Sequence, residues 1–427
     1  MNIIQDGSAN RVITDQELHA HLDTLIESVA SDVKRLLIIP PDHTRLNSRS
    51  GQITAYLYEQ LKHRCKINIM PALGTHFPMT SEQLHLMFGK EIPLETYLPH
   101  DWRNALVDLG ELPASRISDL SEGKLNFPMQ VAVNKELFDG NYDLILSIGQ
   151  IVPHEVIGMA NYTKNVMIGV GGGDTINKSH YLGAVYGMER IMGETHSPVR
   201  AALNESFDIF VRPHLNIQFI LTVIAKENDE LVMRGLFAGN DDDTFAAACE
   251  LSRETNLDVV SKPIQKCVVY LDPEEFNSTW LGNKAVYRTR KAMATGGELI
   301  ILAPDLHTFG EDPEIDRLIR KYGYLGTDQT LKDVEENEEL ANNLSAAAHL
   351  IHGTSDGRFK ITYCPGKQVT QEEINSVGFD YQTYAQTSQK YDPAKLKDGW
   401  NTVDGEEIFY ISNPALGLWV ADLNQDN

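Results

Sequence analysis

The sequence predicts an α/β protein: two α/β domains with mainly parallel sheets and an interdomain cleft. Three observations lead there. Short apolar runs ending in Gly, Pro, Asp or Thr recur along the chain, amphipathic segments separate them, and chemistry-bearing residues collect just after several of the runs. Strands buried on both faces read as continuous apolar runs, and functional side chains in such sheets gather at the strands' carboxyl ends.

In order along the chain, strands are predicted over 36–39, 67–70 and 144–148, then over 267–271, 299–302, 359–363 and 408–411. A helix is predicted from Thr80, where Thr80 and Gln83 have the spacing of a capping box. A polar helix over 241–256 precedes a boundary at Ser261-Lys262-Pro263, which divides the chain into 1–262 and 263–427. The first part carries nearly all the candidate chemistry. The acidic run 333–339 reads as a solvated helix face. The tail turns apolar again after a polar start at Tyr391, so a last strand is expected to dock.

Composition narrows the function. Of 427 residues, 42% are hydrophobic, ample for sizeable cores, and 37 Lys+Arg face 60 Asp+Glu for a net charge of -23. So acidic a surface argues against nucleic acid or anionic lipid as the main partner. An anionic substrate would need a local basic pocket. The four cysteines, Cys65, Cys249, Cys267 and Cys364, form no CxxC pair, which fits neither a zinc site nor a disulfide framework. No basic-then-apolar leader opens the chain and no apolar run reaches about 18 residues, so the expectation is a cytoplasmic protein without membrane contact.

Three strand ends carry candidate chemistry. Asp42, Thr44 and Arg45 follow the first strand, Gly74-Thr75-His76 the second, and Pro153-His154 the third. Parallel strands would present Asp42, Arg45, His76 and His154 to one cleft. Asp42 to Arg45 reads either as an Asx-type turn with a surface arginine or as a guanidinium fork for a carboxylate or phosphate. The helix cap at Thr80 does not account for His76, which precedes it. Lys164 and His180 complete a series with His154, at spacings of 10 and 16 residues. That is not the i, i+4 pattern of a zinc hydrolase helix, although His180 could be one ligand of a metal held otherwise by a cofactor. Lys164 reads as a nucleophilic amine or as an ordinary surface lysine. The run 169–173, with Gly171 and Gly172, either lets amides approach a phosphate or is a turn. Asp174 breaks the dinucleotide fingerprint, and no Walker A lysine follows. His100 and His307 are candidates to line the cleft. His19, His21, His63, His85 and His214 read as surface or core residues.

Taken together, these segments resemble the lactate racemase family, the nickel-pincer-nucleotide racemases and epimerases. The resemblance rests on the loop with Asp42, Thr44 and Arg45, on Gly74-Thr75-His76 followed by Pro78-Met79-Thr80, and on His154, Lys164 and His180 at the family's spacing. A weaker likeness, Tyr287, Arg288, Lys291 and Ala292, extends it into the second half. The resemblance implies racemisation or epimerisation of a 2-hydroxy acid by transient hydride transfer. It implies that Lys164 joins the nickel-pincer nucleotide through a thioamide, and that His180 is the protein ligand to nickel beside two sulfurs and a carbon of the cofactor. His76 and His154 are then the acid/base pair, and Arg45 and Lys291 hold and polarise the substrate. Asp42, which orients its loop, lies toward the cofactor with Thr44, Gly171 and Gly172, and Tyr287 and Arg288 lie toward the substrate. The first domain becomes the cofactor-binding and catalytic one, and the second closes over the substrate. Cofactor-synthesis and nickel-insertion enzymes are the implied partners. Arg288 stands where the family often has Gln, and its charged fork favours a second carboxylate or a polyhydroxy acid. Two other readings stay open: an NAD(P)-dependent dehydrogenase, despite the missing fingerprint, and a non-catalytic α/β protein that binds the cofactor.

Overall fold

The computed structural model describes residues 2–227 and 230–422. It divides into two compact units, Met1–Leu182 with Ile191–Asn256, and Gly183–Arg190 with Leu257–Asn427. The division thus falls after Asn256 rather than at 262–263, and the short segment Gly183–Arg190 is grouped with the second unit although no composition change marks it.

The first unit contains β1 (Asn2–Gly7), β2 (Arg35–Ile39), β3 (Lys66–Ile69), β4 (Leu106–Leu112), β5 (Met129–Asn134), β6 (Leu144–Gln150), β7 (Pro153–His154), β8 (Gly158–Met159), β9 (Ile217–Glu227) and β10 (Glu230–Gly239). Its main sheet runs β1-β10-β9-β6-β2-β3. The pairings from β9 through β3 are parallel, while β10 and β1 add an antiparallel edge. β2, β6 and most of β9 are buried almost without a break and are mostly apolar, as expected of strands covered on both faces. The helix Asp15–Val29 shows how the cover forms. Thr14 and Glu17 make a reciprocal capping box, and Leu18, Leu22, Leu25 and Ile26 fall on one stripe that is buried in the core. Each such side chain contributes about 1.5–3 kcal/mol on burial.

The second unit contains β11 (Asp258–Val260), β12 (Ile264–Tyr270), β13 (Met293–Ala303), β14 (Lys360–Pro365), β15 (Asp380–Tyr381), β16 (Gly399–Val403), β17 (Glu406–Ile411) and β18 (Trp419–Ala421). Its sheet order is β15-β14-β13-β12-β17-β16, parallel except for the last pair. The terminal strand β18 docks in parallel on β11, as the returning apolar character of the tail predicts. Among the described residues no helix is long and apolar enough to cross a membrane.

Candidate active site

Three neighbouring parallel strands build the site. Ile38 of β2 pairs with Ile69 of β3, and Ile39 pairs with Ser147 of β6, so the strands run in close register toward one edge. The chain leaving them frames a cavity of about 270 Å³, whose walls include Asp42, Thr44, Arg45, His76, His154, Lys164 and His180. All of its lining comes from the first unit.

After β2, Asp42 caps a short 3-10 segment, His43–Ser48, accepting hydrogen bonds from the Thr44 amide at 3.1 Å and from the Thr44 hydroxyl. Its other oxygen lies 2.6 Å from His76 Nδ1. Burial alone would raise the Asp42 carboxyl, but the hydrogen bonds from His76 and Thr44 outweigh it and hold the group below the usual carboxylate range. An ionised Asp42 accepts only, so His76 donates from Nδ1 and keeps its lone pair on Nε2. Arg45 is exposed on the cavity wall, and among the described residues no carboxylate lies within ion-pair reach of it.

After β3, the loop is tied down at both ends. Ala72 donates its amide to Pro40 O, and Gly74, with φ of 56°, donates to Gly169 O at 2.8 Å. Any side chain at 74 would be strained by that left-handed backbone, and a Cβ at 169 would lie 2.4 Å from Asn165 O. These two glycines let the His76 loop lie against the segment that carries Lys164. After β6, the hairpin of β7 and β8 presents His154, whose Nδ1 accepts the Val156 amide at 3.1 Å with a Glu155 oxygen 3.9 Å away.

Lys164 sits in the short helix Thr163–Met167. Asn165 pins that helix to the strand ends by donating to Ile39 O at 3.0 Å and Ser147 Oγ at 2.9 Å. Just before it, Asn161 and Tyr162 both hold left-handed φ values, 62° and 59°, a conformation that side chains other than Gly adopt at a cost. The buried Arg200 braces this strained turn, donating to Met159 O, Asn161 O and Thr163 Oγ1 while its guanidinium lies over the Phe245 ring. Desolvation, then the charge of Arg45, lowers the Lys164 amine to about 8. His180 lies on the helix Gly173–Tyr186 with Nδ1 2.6 Å from Ile176 O, so Nδ1 donates and Nε2 holds the lone pair. Burial and the neighbouring Lys164 lower its pKa.

Other sequence candidates lie elsewhere. Gly171 and Gly172 are outside the cavity lining, and their amides donate to Ile168 O and Ala132 O, so the phosphate-cradle reading of these glycines is not met. A close backbone approach explains Gly171 instead, since a Cβ there would lie 1.8 Å from Met167 O. His100 is buried, with Nε2 at 3.2 Å from Gly171 O and Asn134 on its other nitrogen, and does not line the cavity. His307 pairs with Asp305 in the second unit. Tyr287 and Arg288, on the helix Lys284–Thr289, and Lys291 just after it, belong to the second unit. Sequence reasoning missed Arg200 and the Asn161–Tyr162 turn. A signal existed for the first: Arg200 occupies the apolar stripe of the helix Pro198–Phe210, where an unpaired cation is costly.

Known proteins resemble this chain in sequence and in fold. The lactate racemase N-terminal domain family matches residues 11–191. A lactate racemase of Thermoanaerobacterium thermosaccharolyticum is 24% identical over 345 residues, 75% of this chain and 73% of the relative. A lactate racemase of Lactiplantibacillus plantarum is 23% identical over 293 residues, 65% of this chain but only 62% of the relative. Among solved structures, a Thermotoga maritima protein superposes with a TM-score of 0.78 at 24% identity, covering 96% of this chain and 98% of its own. The lactate racemase apoprotein of T. thermosaccharolyticum superposes at 0.71 with 16% identity, covering 97% and 94%. Those likenesses establish the mixed α/β fold with parallel sheets. The two sequence relatives are both lactate racemases, isomerases by class. The family match itself covers only the first part of the chain, residues 11–191.

Proposed function

We propose that the protein interconverts the stereoisomers of a small 2-hydroxy acid, with a nickel-pincer nucleotide held through Lys164. The observation that carries this is one cavity lined by three imidazoles, an amine of lowered pKa and the Arg45 guanidinium.

The residues suit the group. Lys164, lowered to about 8, is a nucleophilic amine near neutral pH and fits a covalent tether. His180 donates its Nδ1–H to a backbone carbonyl, the usual support for an imidazole that ligates through Nε2. Among the described residues no set of three His, Cys, Asp or Glu could hold a metal alone, and a metal held by His180 would draw its other donors from the bound group. When bound, that group supplies an electrophile able to accept a hydride from the substrate carbon.

The chain's own residues do the rest. Arg45 binds the substrate carboxylate against the protein's net charge of -23. His76, held by Asp42, takes the hydroxyl proton at Nε2, and His154 serves the same oxygen from its own wall. Lys291, Tyr287 and Arg288 are proposed as further substrate contacts, with Arg288 favouring a second carboxylate or a polyhydroxy acid. Cofactor-building and nickel-inserting enzymes are the partners this reading needs. The test is co-expression with such enzymes, followed by chiral analysis of enantiopure lactate, malate, longer 2-hydroxy acids and aldonates. Appearance of the opposite configuration supports the proposal. A loaded protein that inverts none of them, or one that instead titrates saturably with NADH, sinks it.

A further inference from the structure

We infer that His76 and His154 are held in opposite tautomers, so the pair is not symmetric: His76 is the resting base and His154 the resting hydrogen-bond donor. The catalytic meaning of this rests on the function proposed above; the tautomers themselves rest on geometry.

A neutral imidazole has one N–H and one lone pair, and the partner on one nitrogen decides which is which. His76 Nδ1 faces the buried Asp42 carboxylate at 2.6 Å, while both oxygens of that group accept, the other from Thr44. An acceptor there demands Nδ1–H and leaves the lone pair on Nε2. His154 Nδ1 faces the Val156 backbone N–H at 3.1 Å, which can only donate. A donor there demands a bare Nδ1 and puts the proton on Nε2. Two imidazoles on one cavity are thus polarised in opposite senses by a carboxylate and by a backbone amide.

The consequence concerns which stereoisomer the resting site accepts. A hydroxyl that reaches His76 gives its proton to Nε2, and the imidazolium that forms keeps Nδ1–H on Asp42, with no rearrangement. For His154 to be the base, its proton must first move from Nε2 to Nδ1. The Val156 amide contact then has to break, and the nearby Glu155 carboxylate, 3.9 Å from Nδ1, is the acceptor placed to receive the relocated N–H. Arg45 and Lys164 line the same cavity and disfavour a second positive charge there. One configuration therefore meets a ready base and the other a donor that must be reset.

The test is 15N–1H long-range correlation spectroscopy of full-length, cofactor-free protein labelled at histidine nitrogens, at a pH where both rings are neutral. His76→Gln and His154→Gln assign the two signals. The expected result is an Nδ1–H pattern for His76 and an Nε2–H pattern for His154, with Asp42→Asn altering only the first. The same tautomer in both rings, or Nδ1–H in His154, overturns the inference. Should a Gln variant fail to fold, neutron diffraction of the unsubstituted protein reads the same protons directly. No substrate or cofactor is present, so this result and the racemisation assay fail independently.

Discussion

Two regions of the molecule hold histidine rings through fixed hydrogen bonds, and they do so in different surroundings. In the second unit His349 is enclosed: its ring stacks on Trp280 at 4.2 Å, and its Nε2 lies 3.0 Å from the Tyr324 hydroxyl, which also meets Thr279 at 2.8 Å. Burial, and then His352, push it down to about 3, so it stays neutral as part of the core. In the first unit His76, His154 and His180 each have Nδ1 fixed by the protein, but the three rings share a cavity with Lys164 and Arg45. A perturbed histidine therefore identifies a site only where open volume and other charged groups converge on it. His349 is strongly perturbed, yet it packs against Trp280 and Tyr324 rather than lining that cavity.

Changes on the cavity side should act on chemistry, and the largest is Lys164→Ala. It is expected to abolish covalent cofactor mass and turnover together, which intact mass spectrometry after co-expression reads. An unchanged adduct would remove Lys164 from its role. Next come His76→Gln and His154→Gln, each expected to lower turnover by roughly 10²–10⁴-fold, the usual worth of a positioned acid or base. Bound nickel should remain, as measured by metal analysis. Nickel lost from either variant would make that imidazole a ligand. A smaller effect separates Lys164 from surface lysines in the cofactor-free protein. Its amine is protonated below about 8, so reaction with an acylating reagent should rise through that pH rather than near the ordinary lysine value of ~10.4. Site-resolved peptide mass spectrometry across a pH series checks this, and a midpoint near the ordinary value would mean that the amine is solvated.

Much of the first region was legible in the sequence. The apolar runs end within two residues of the ends of β2, β3 and β6, and Asp42 with Arg45, His76 and His154 follow them in turn, so convergence at one sheet edge follows from parallel topology alone. The Thr80–Gln83 capping box is also local, and it caps the helix Ser81–Phe88. What stayed hidden depends on tertiary context. The β9–β10 hairpin is nearly as continuously apolar as a buried parallel strand, so its antiparallel pairing leaves no period to read. Gly171 and Gly172 look like a phosphate cradle because composition does not say that Ile168 and Ala132 already take their amides. The brace at Arg200 joins residues distant along the chain, and the tautomers of His76 and His154 depend on which group faces each Nδ1.

The smallest expected effect belongs to the second region, where a change should touch stability and leave chemistry alone. The folded-state pKa of His349 is about 3, against ~6.5 for histidine in an unfolded chain. Between those values the unfolded chain binds a proton that the folded protein refuses. The stability associated with the neutral ring is therefore complete above about 6.5 and drains away as pH falls toward 3. His349→Gln removes the titration and part of the packing on Trp280. It should cost about 1–3 kcal/mol at neutral pH, as for a buried hydrogen-bonded group. The gap in Tm from the unsubstituted protein should narrow as the pH drops through that window, which thermal melts at a series of pH values read. Turnover of the loaded protein at neutral pH should be unchanged, because nothing on the cavity wall depends on this ring. A constant gap in Tm would mean that His349 titrates normally, and with it the contrast between the two sets of histidines would dissolve.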